Sequence, residues 1–490
     1  MKRIAALALT LLALPAAAET TTYRVLFGGE DVGHLIINSA EQDVVIEFNY
    51  KQNGRGPTIT EEMTLDDRGY PIDLTISGTN TFGSSADEFF RFSNGTASWQ
   101  DSTGPGEANT GDLTSFYINQ NGSPYSSALL AKALLADEDG RFEVLPGGEA
   151  SIVTRETRSY DGPDGELEVT AYQILGLSYN PGLVMLDSDG RFFATASPRF
   201  AMVREGYESA DEDLRAWADA LSTERFVEIQ ARVAHSYDQP VRIRNVHVFD
   251  PIELKRTELK DVVIYGKRIA SVQDADSALP GGEVIIEGDG GTLVAGMYEM
   301  HGHLGQGNAL LNIAAGVTSV RDMGNENAVL EDLMNRINDG TIAGPRITRS
   351  CFIEGKSDFS AATGELVSSL EEGLQMVRWC ASRDFHQVKF YNSMRPDWAE
   401  TLVDEAHRLG LRVSGHVPAF STANAMIEAG FDEITHANQL LLGWVLEADE
   451  DTRTLFRFTA MKRFPSLDAD GESVRYTIDQ MRERNVAHDP

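Results

Sequence analysis

The sequence predicts an α/β protein of the (β/α)8 TIM-barrel type, incomplete at about seven strands, with a small flanking β-domain and an N-terminal antiparallel β-domain. Three observations predict it. From residue 293 to the end, short apolar strands alternate with helices. From Thr20 to about Phe200, apolar and polar residues alternate with period two between turn signals. At the start of the βα region an apolar strand runs into two closely spaced histidines, Met300-His301-Gly302-His303. Repeated βα units imply parallel strands, and period-two runs imply a one-sided antiparallel sheet.

Composition bounds the function. The chain has 490 residues, 42% hydrophobic and 24% charged, which is ordinary for a folded protein of two or three domains. Its 75 acidic and 42 basic residues give a formal net charge of -33. That balance argues against nucleic acid or an anionic membrane surface as a partner, since both need a basic face. Lys2, Arg3, the apolar run 4–14 and Ala16-Ala17-Ala18 read as a cleavable signal peptide, residues 1–18, so a periplasmic or secreted protein is expected. No later stretch offers about eighteen uninterrupted apolar residues, so no stable membrane anchor is expected. Cys351 and Cys380 are the only cysteines. Two buried free thiols are the expectation, with a single bridge as the alternative.

Residues 19–205 form the antiparallel region. Ile46, Phe48 and Tyr50 face away from Glu47, Asn49 and Lys51, and Leu167, Val169 and Ala171 alternate with Glu166, Glu168 and Thr170. Turns recur at Asp67-Arg68-Gly69, Ser93-Asn94-Gly95, Gly162-Pro163-Asp164-Gly165 and Asp187-Ser188-Asp189-Gly190. A curved half-barrel with one helix over 126–136 is expected, with no catalytic constellation of its own. Residues 206–238 read as a helical connector, with Leu214, Trp217, Leu221, Phe226, Ile229 and Val233 at helix spacing. Residues 239–292 read as a small composite β-domain with strands at 241–248, 262–269 and 284–287. His247 there alternates with apolar neighbours and is taken as structural.

Residues 293–490 hold the βα array. Strands are expected at 293–304, 317–321, 346–353, 387–391, 411–416 and 433–436, with helices over 366–381 and 398–409 among the intervals. Positions i and i+2 of a strand point the same way, so His301 and His303 aim at one point, a metal-chelating geometry. In a closed barrel all carboxyl ends of the strands open on one mouth. His301, His303, Lys389, His416 and His436 all fall at such ends.

Five motifs in order, Met300-His301-Gly302-His303, Gly316-Val317-Thr318-Ser319-Val320-Arg321-Asp322, Val388-Lys389-Phe390-Tyr391, Ser414-Gly415-His416-Val417 and Ile434-Thr435-His436-Ala437, cover residues 245 onward. They resemble the amidohydrolase superfamily, in the branch of imidazolonepropionase-like and Xaa-Pro dipeptidase-like enzymes. The resemblance implies two divalent metal ions, zinc in most of the family, with His301 and His303 on one and His416 and His436 on the other. It implies that Lys389 bridges them as a carbamate formed with carbon dioxide. An ammonium has no lone pair to give, whereas a carboxylated lysine is an anionic oxygen ligand for two cations. The implied activity is hydrolysis of a C–N bond in a small amide, cyclic amide or dipeptide by a metal-activated water.

Tyr391 shares its face with Lys389 and Arg321 ends its strand. Either is a candidate for binding a substrate carboxylate, with core packing or an ion pair as the alternative. Glu299 stands where relatives carry Asp, a change read as tolerated. Relatives also place a proton-shuttling Asp at the end of strand eight, whereas this sequence closes on Ala487-His488-Asp489-Pro490 in the seventh. No catalytic residue is therefore assigned, and the chain is expected to be truncated and inactive as it stands. An open array would expose strand edges, which predicts poor stability or assembly with a partner. The alternative function is a non-catalytic envelope binding protein with a degenerate barrel.

Overall fold

A computed structural model describes residues 19–163, 165–275, 277–278, 281–361 and 363–490. The expected signal peptide and Asp164 of one expected turn lie outside the described residues. The chain divides into two compact units, one holding the residues up to Leu221 together with Cys351–Pro490, the other holding Ser222–Ser350.

In the first unit, alternation builds the sheet. Along Asp43–Tyr50, Val44, Ile46 and Phe48 are buried while Asp43, Val45 and Glu47 are exposed, the pattern of a strand with one face on a core. Among the described residues fifteen such strands, from Glu19–Phe27 to Phe200–Arg204, join in one sheet that is antiparallel except where Phe116–Tyr117 pairs with Arg141–Leu145. Two meanders meet where the first strand pairs with the last, Tyr23 opposite Arg204 and Phe27 opposite Phe200. The sheet's apolar face shares one core with the helix Tyr125–Ala136, which buries Ala128, Leu129, Leu130, Ala131, Ala133 and Leu134. A helix apolar over most of its circumference is stable only when enclosed in this way.

Two carboxylates lie inside this sheet. Glu61 accepts the Ser123 backbone N–H, and burial pushes its carboxyl above the ordinary range. Glu88 accepts the Tyr117 hydroxyl at 2.8 Å and the backbone N–H groups of Gln120 and Asn121 at 3.0 Å. It thereby holds the loop that precedes the buried helix.

The connector forms the helix Asp211–Val233. Leu214, Trp217 and Leu221 pack with Tyr160, Phe193 and Tyr207 in the first unit, and Phe226 packs with Leu304, Ala309 and Leu330 in the second. In the second unit, strand Val241–Asp250 pairs antiparallel with Lys260–Tyr265 and parallel with Val284–Glu287. His247 is bonded through Nδ1 to the Thr257 carbonyl at 2.7 Å, a structural role.

The parallel strands follow. Met297–Gly302, Val317–Asp322 and the start of Arg346–Gly355 pair in the second unit. Gln387–Phe390, Arg412–Gly415, Glu433–Thr435 and Ala487–Asp489 pair in the first. Helices Leu370–Ala381, Ala399–Arg408, Ala423–Glu428 and Glu472–Arg484 alternate with them. Among the described residues these are seven main parallel strands in sequence order, the fold class and strand number that the sequence predicts.

Two expectations are corrected. The helix expected from residue 366 starts at Leu370, because the Ser369 hydroxyl accepts the Glu372 N–H at 3.2 Å while the Glu372 carboxylate takes the Ser368 N–H at 2.6 Å. This reciprocal cap fixes the first turn, and Glu365–Val367 instead pairs with Ile353–Gly355 as a short strand. Cys351 and Cys380 are not free thiols but a disulfide, with Cα atoms 6.0 Å apart. Strand Arg346–Gly355 and helix Leu370–Ala381 bury the two residues in one core cluster, side by side.

Glu88 has the most bonds at stake in the β-domain. Glu88→Ala should destabilise it by about 3 kcal/mol, since two amides and a phenol lose a buried anionic acceptor. The expected reading is a lower urea midpoint for β-sheet circular dichroism.

Candidate active site

The site begins with strand Gln387–Phe390. Val388 and Phe390 point to the helix-covered side, into a core with Val377, Leu402 and Val413. Period two then turns Lys389 and Tyr391 to the opposite side. Lys389 is only 2% exposed, and its Nζ lies 5.8 Å from the centre of the Phe352 ring and 5.7 Å from that of Tyr391. The Tyr391 ring centre is 3.9 Å from that of His416, which in turn is 4.9 Å from His436 at an interplanar angle of 81°.

Backbone geometry sets these positions. A Cβ on Gly415 would fall 2.2 Å from the Phe390 carbonyl oxygen, so only glycine lets this strand approach closely enough for the His416 N–H to reach the same oxygen at 3.0 Å. His436 follows strand Glu433–Thr435 with φ of 67°, in the left-handed region. For a residue other than glycine this costs on the order of 1–3 kcal/mol, a strain found mostly where function requires it.

His416 is oriented by Asn392. Its Nδ1 is 2.7 Å from the Asn392 Oδ1, an acceptor only, so Nδ1 carries the proton and Nε2 the lone pair. In the second unit the His303 Nδ1 likewise meets the Gly324 carbonyl at 2.6 Å. The His301 and His303 rings lie 5.4 Å apart. Asp322, fully buried, fixes the turn beyond them by accepting the N–H groups of Leu304 at 2.8 Å and Gly324 at 3.0 Å. Glu299 accepts the His301 N–H at 2.8 Å, which gives it a local backbone role. Arg321 donates from Nε to the Met300 carbonyl at 2.7 Å.

The structure thus brings Lys389, Tyr391, His416 and His436 together in the first unit and His301 with His303 in the second. Among the described residues no three His, Cys, Asp or Glu are grouped so as to hold a metal ion. The first unit offers two imidazoles and a lysine, and that lysine is a ligand only once carboxylated. With that modification the donor set suits a divalent cation, and a hydrogen bond from Nδ1 that fixes the ring and its tautomer is how ligating histidines are oriented.

Sequence reasoning missed Asn392, Glu354 and two arginines, Arg55 and Arg457. Glu354 ends the third parallel strand, fully buried, and accepts the N–H groups of Gly355 at 3.0 Å, Ser393 at 2.8 Å and Ala361 at 3.4 Å. It ties together the loops after two strands. Its position at a strand end, following Cys351-Phe352-Ile353, was the available signal.

Burial pushes the Glu354 carboxyl from its ordinary 4.5 up to about 8. Between those values the folded chain keeps a proton that the unfolded chain has lost, so this group makes stability fall as pH rises through that window. Glu354→Gln should flatten that fall. The check is Tm measured across the same pH range in both proteins.

No family model matches the chain, and no curated protein matches it. Solved structures to which it is similar are prolidase, Xaa-Pro dipeptidase and amidohydrolase enzymes. A putative prolidase from Bifidobacterium longum is 21% identical, with 45% of this chain and 60% of that chain covered, at a TM-score of 0.36. A Xaa-Pro dipeptidase with bound methionine in the active site is 18% identical, with 51% and 78% covered, at 0.36. Bottromycin amidohydrolase is 19% identical, with 49% and 51% covered, at 0.38.

Proposed function

We propose that this chain carries the metal site of an exported amidohydrolase that cleaves a C–N bond in a small amide, cyclic amide or dipeptide, with no proton-shuttling residue assigned and little or no turnover expected of the chain itself. The observation that carries the reading is the meeting of Lys389, His416 and His436 around Tyr391 at the carboxyl ends of three successive parallel strands. Catalytic groups of parallel βα arrays come from such ends. On the family resemblance, two divalent cations, zinc in this reading, would be held by His301 and His303 and by His416 and His436, with Lys389 carboxylated by carbon dioxide. Bound there, they supply a Lewis acid for the amide carbonyl and lower the pKa of the attacking water.

The chain's own residues do the rest. Asn392 accepts the proton of the His416 Nδ1, which in the neutral ring leaves the electron pair on Nε2. Tyr391, pressed between Phe352 and His416, offers its hydroxyl to the substrate from a ring that cannot swing away. The burial of Lys389 among aromatic rings excludes water, which strengthens every charge–dipole contact at the reacting bond.

The test is a screen of dipeptides and cyclic amides for hydrolysis by the purified chain. Zinc should bind, any turnover should be abolished by a chelator and restored by zinc, and Lys389→Met should lower zinc affinity by about 10–100-fold, the usual scale for losses around a metal site. No zinc binding, or hydrolysis indifferent to chelator, would overturn the reading.

A further inference from the structure

Arg457 is buried without an acid. It sits in the short helix Phe456–Thr459, 6% exposed, and among the described residues its contacts are all neutral or cationic. They are the Tyr391 hydroxyl, the Asn438 Oδ1 3.5 Å from Nη2, and the Phe458 ring 5.3 Å from Cζ. Its Nε is buried with no hydrogen-bond partner. Burial, with Arg55 as a second nearby cation, holds this guanidinium below the ordinary arginine value.

Arg55 comes from the β-domain. Gln52 and Arg55 exchange backbone hydrogen bonds of 2.7 and 3.0 Å around Asn53 and Gly54, whose φ values are 53° and 64°. This is the two-residue turn that an Asn-Gly pair favours. Its tip seats on the segment that carries Arg457: a Cβ on Gly54 would fall 2.6 Å from the Arg453 carbonyl oxygen. Arg55 Nη2 lies 3.5 Å from the Tyr391 Oη, and its Cζ lies 5.8 Å from the Phe458 ring centre.

Two guanidinium groups therefore converge on one phenol whose ring lies against His416. Two acids of the surrounding loops are engaged elsewhere, Asp451 with Arg453 at 2.7 Å and Glu354 with backbone amides. Close cations that are poorly hydrated and without an acid are unfavourable alone, and an arriving carboxylate relieves both terms through planar, charge-assisted bonds.

We propose that Arg55 and Arg457 clamp a carboxylate of the ligand bound beside His416, so that the N-terminal β-domain supplies a specificity determinant and selects ligands with a free carboxyl group. That this ligand is a substrate rests on the hydrolase reading above; the binding itself does not.

The test measures binding without turnover. N-acetyl amino acids and their matching N-acetyl amino-acid amides are titrated into the full chain and followed by ligand-observed NMR. The acids should bind roughly tenfold or more tightly than the amides, and Arg55→Gln and Arg457→Met should each abolish most of that preference while binding of the amides stays unchanged. Circular dichroism verifies folding, and Arg55→Gln decides alone if Arg457→Met does not fold. No preference for acids in the unmutated chain, or a preference that survives Arg55→Gln, overturns the clamp. Zinc binding or hydrolysis without the preference would leave the enzyme reading standing, and the preference with neither would leave only the clamp.

Discussion

The burial of Lys389 is the constraint on which the site depends. A lysine side chain 2% exposed in the middle of an apolar strand is a costly placement, of the order of several kcal/mol before compensation. Val388 and Phe390 impose it: their packing against Val377, Leu402 and Val413 fixes the face of the strand, and the pleat then sends Lys389 and Tyr391 inward together. Gly415 and the left-handed backbone of His436 carry two imidazoles to the same place. Packing on one face of the sheet therefore orders the chemistry on the other.

The β-domain takes part in this arrangement. Its sheet is a self-contained structure, with an enclosed helix and internal carboxylates that fasten its loops. Yet the Asn53-Gly54 turn reaches the loop after His436 and sets Arg55 on the Tyr391 hydroxyl. Phe82 extends the same contact, its ring 5.3 Å from that of Phe458. The antiparallel sheet thus contributes charge to the candidate site.

The strands and the histidines were legible in the sequence because their signals are local. Period-two burial, βα rhythm and a His-x-His at a strand end each need only neighbouring residues. The helix start at Leu370 was also local, in Ser369 and Glu372, but an apolar Leu366 obscured it. The Cys351–Cys380 disulfide and the arginine clamp were not legible, since each depends on packing that sequence spacing does not encode. Arg55 and Tyr391 are 336 residues apart, and Arg55 lies outside the region of family resemblance. Asn392 was hidden for another reason: its value lies in the tautomer it sets on His416, which only the folded distance reveals.

A metal-dependent site requires that these imidazoles be ligands. The most direct measurement is elemental analysis of metal bound to the full chain purified without chelator, beside His416→Ala and His301→Ala with folding verified by circular dichroism. About two divalent ions per chain, as a two-metal hydrolase site requires, falling in each variant, is the predicted result. A chain that binds no metal, or that binds the same amount after either histidine is removed, would contradict it.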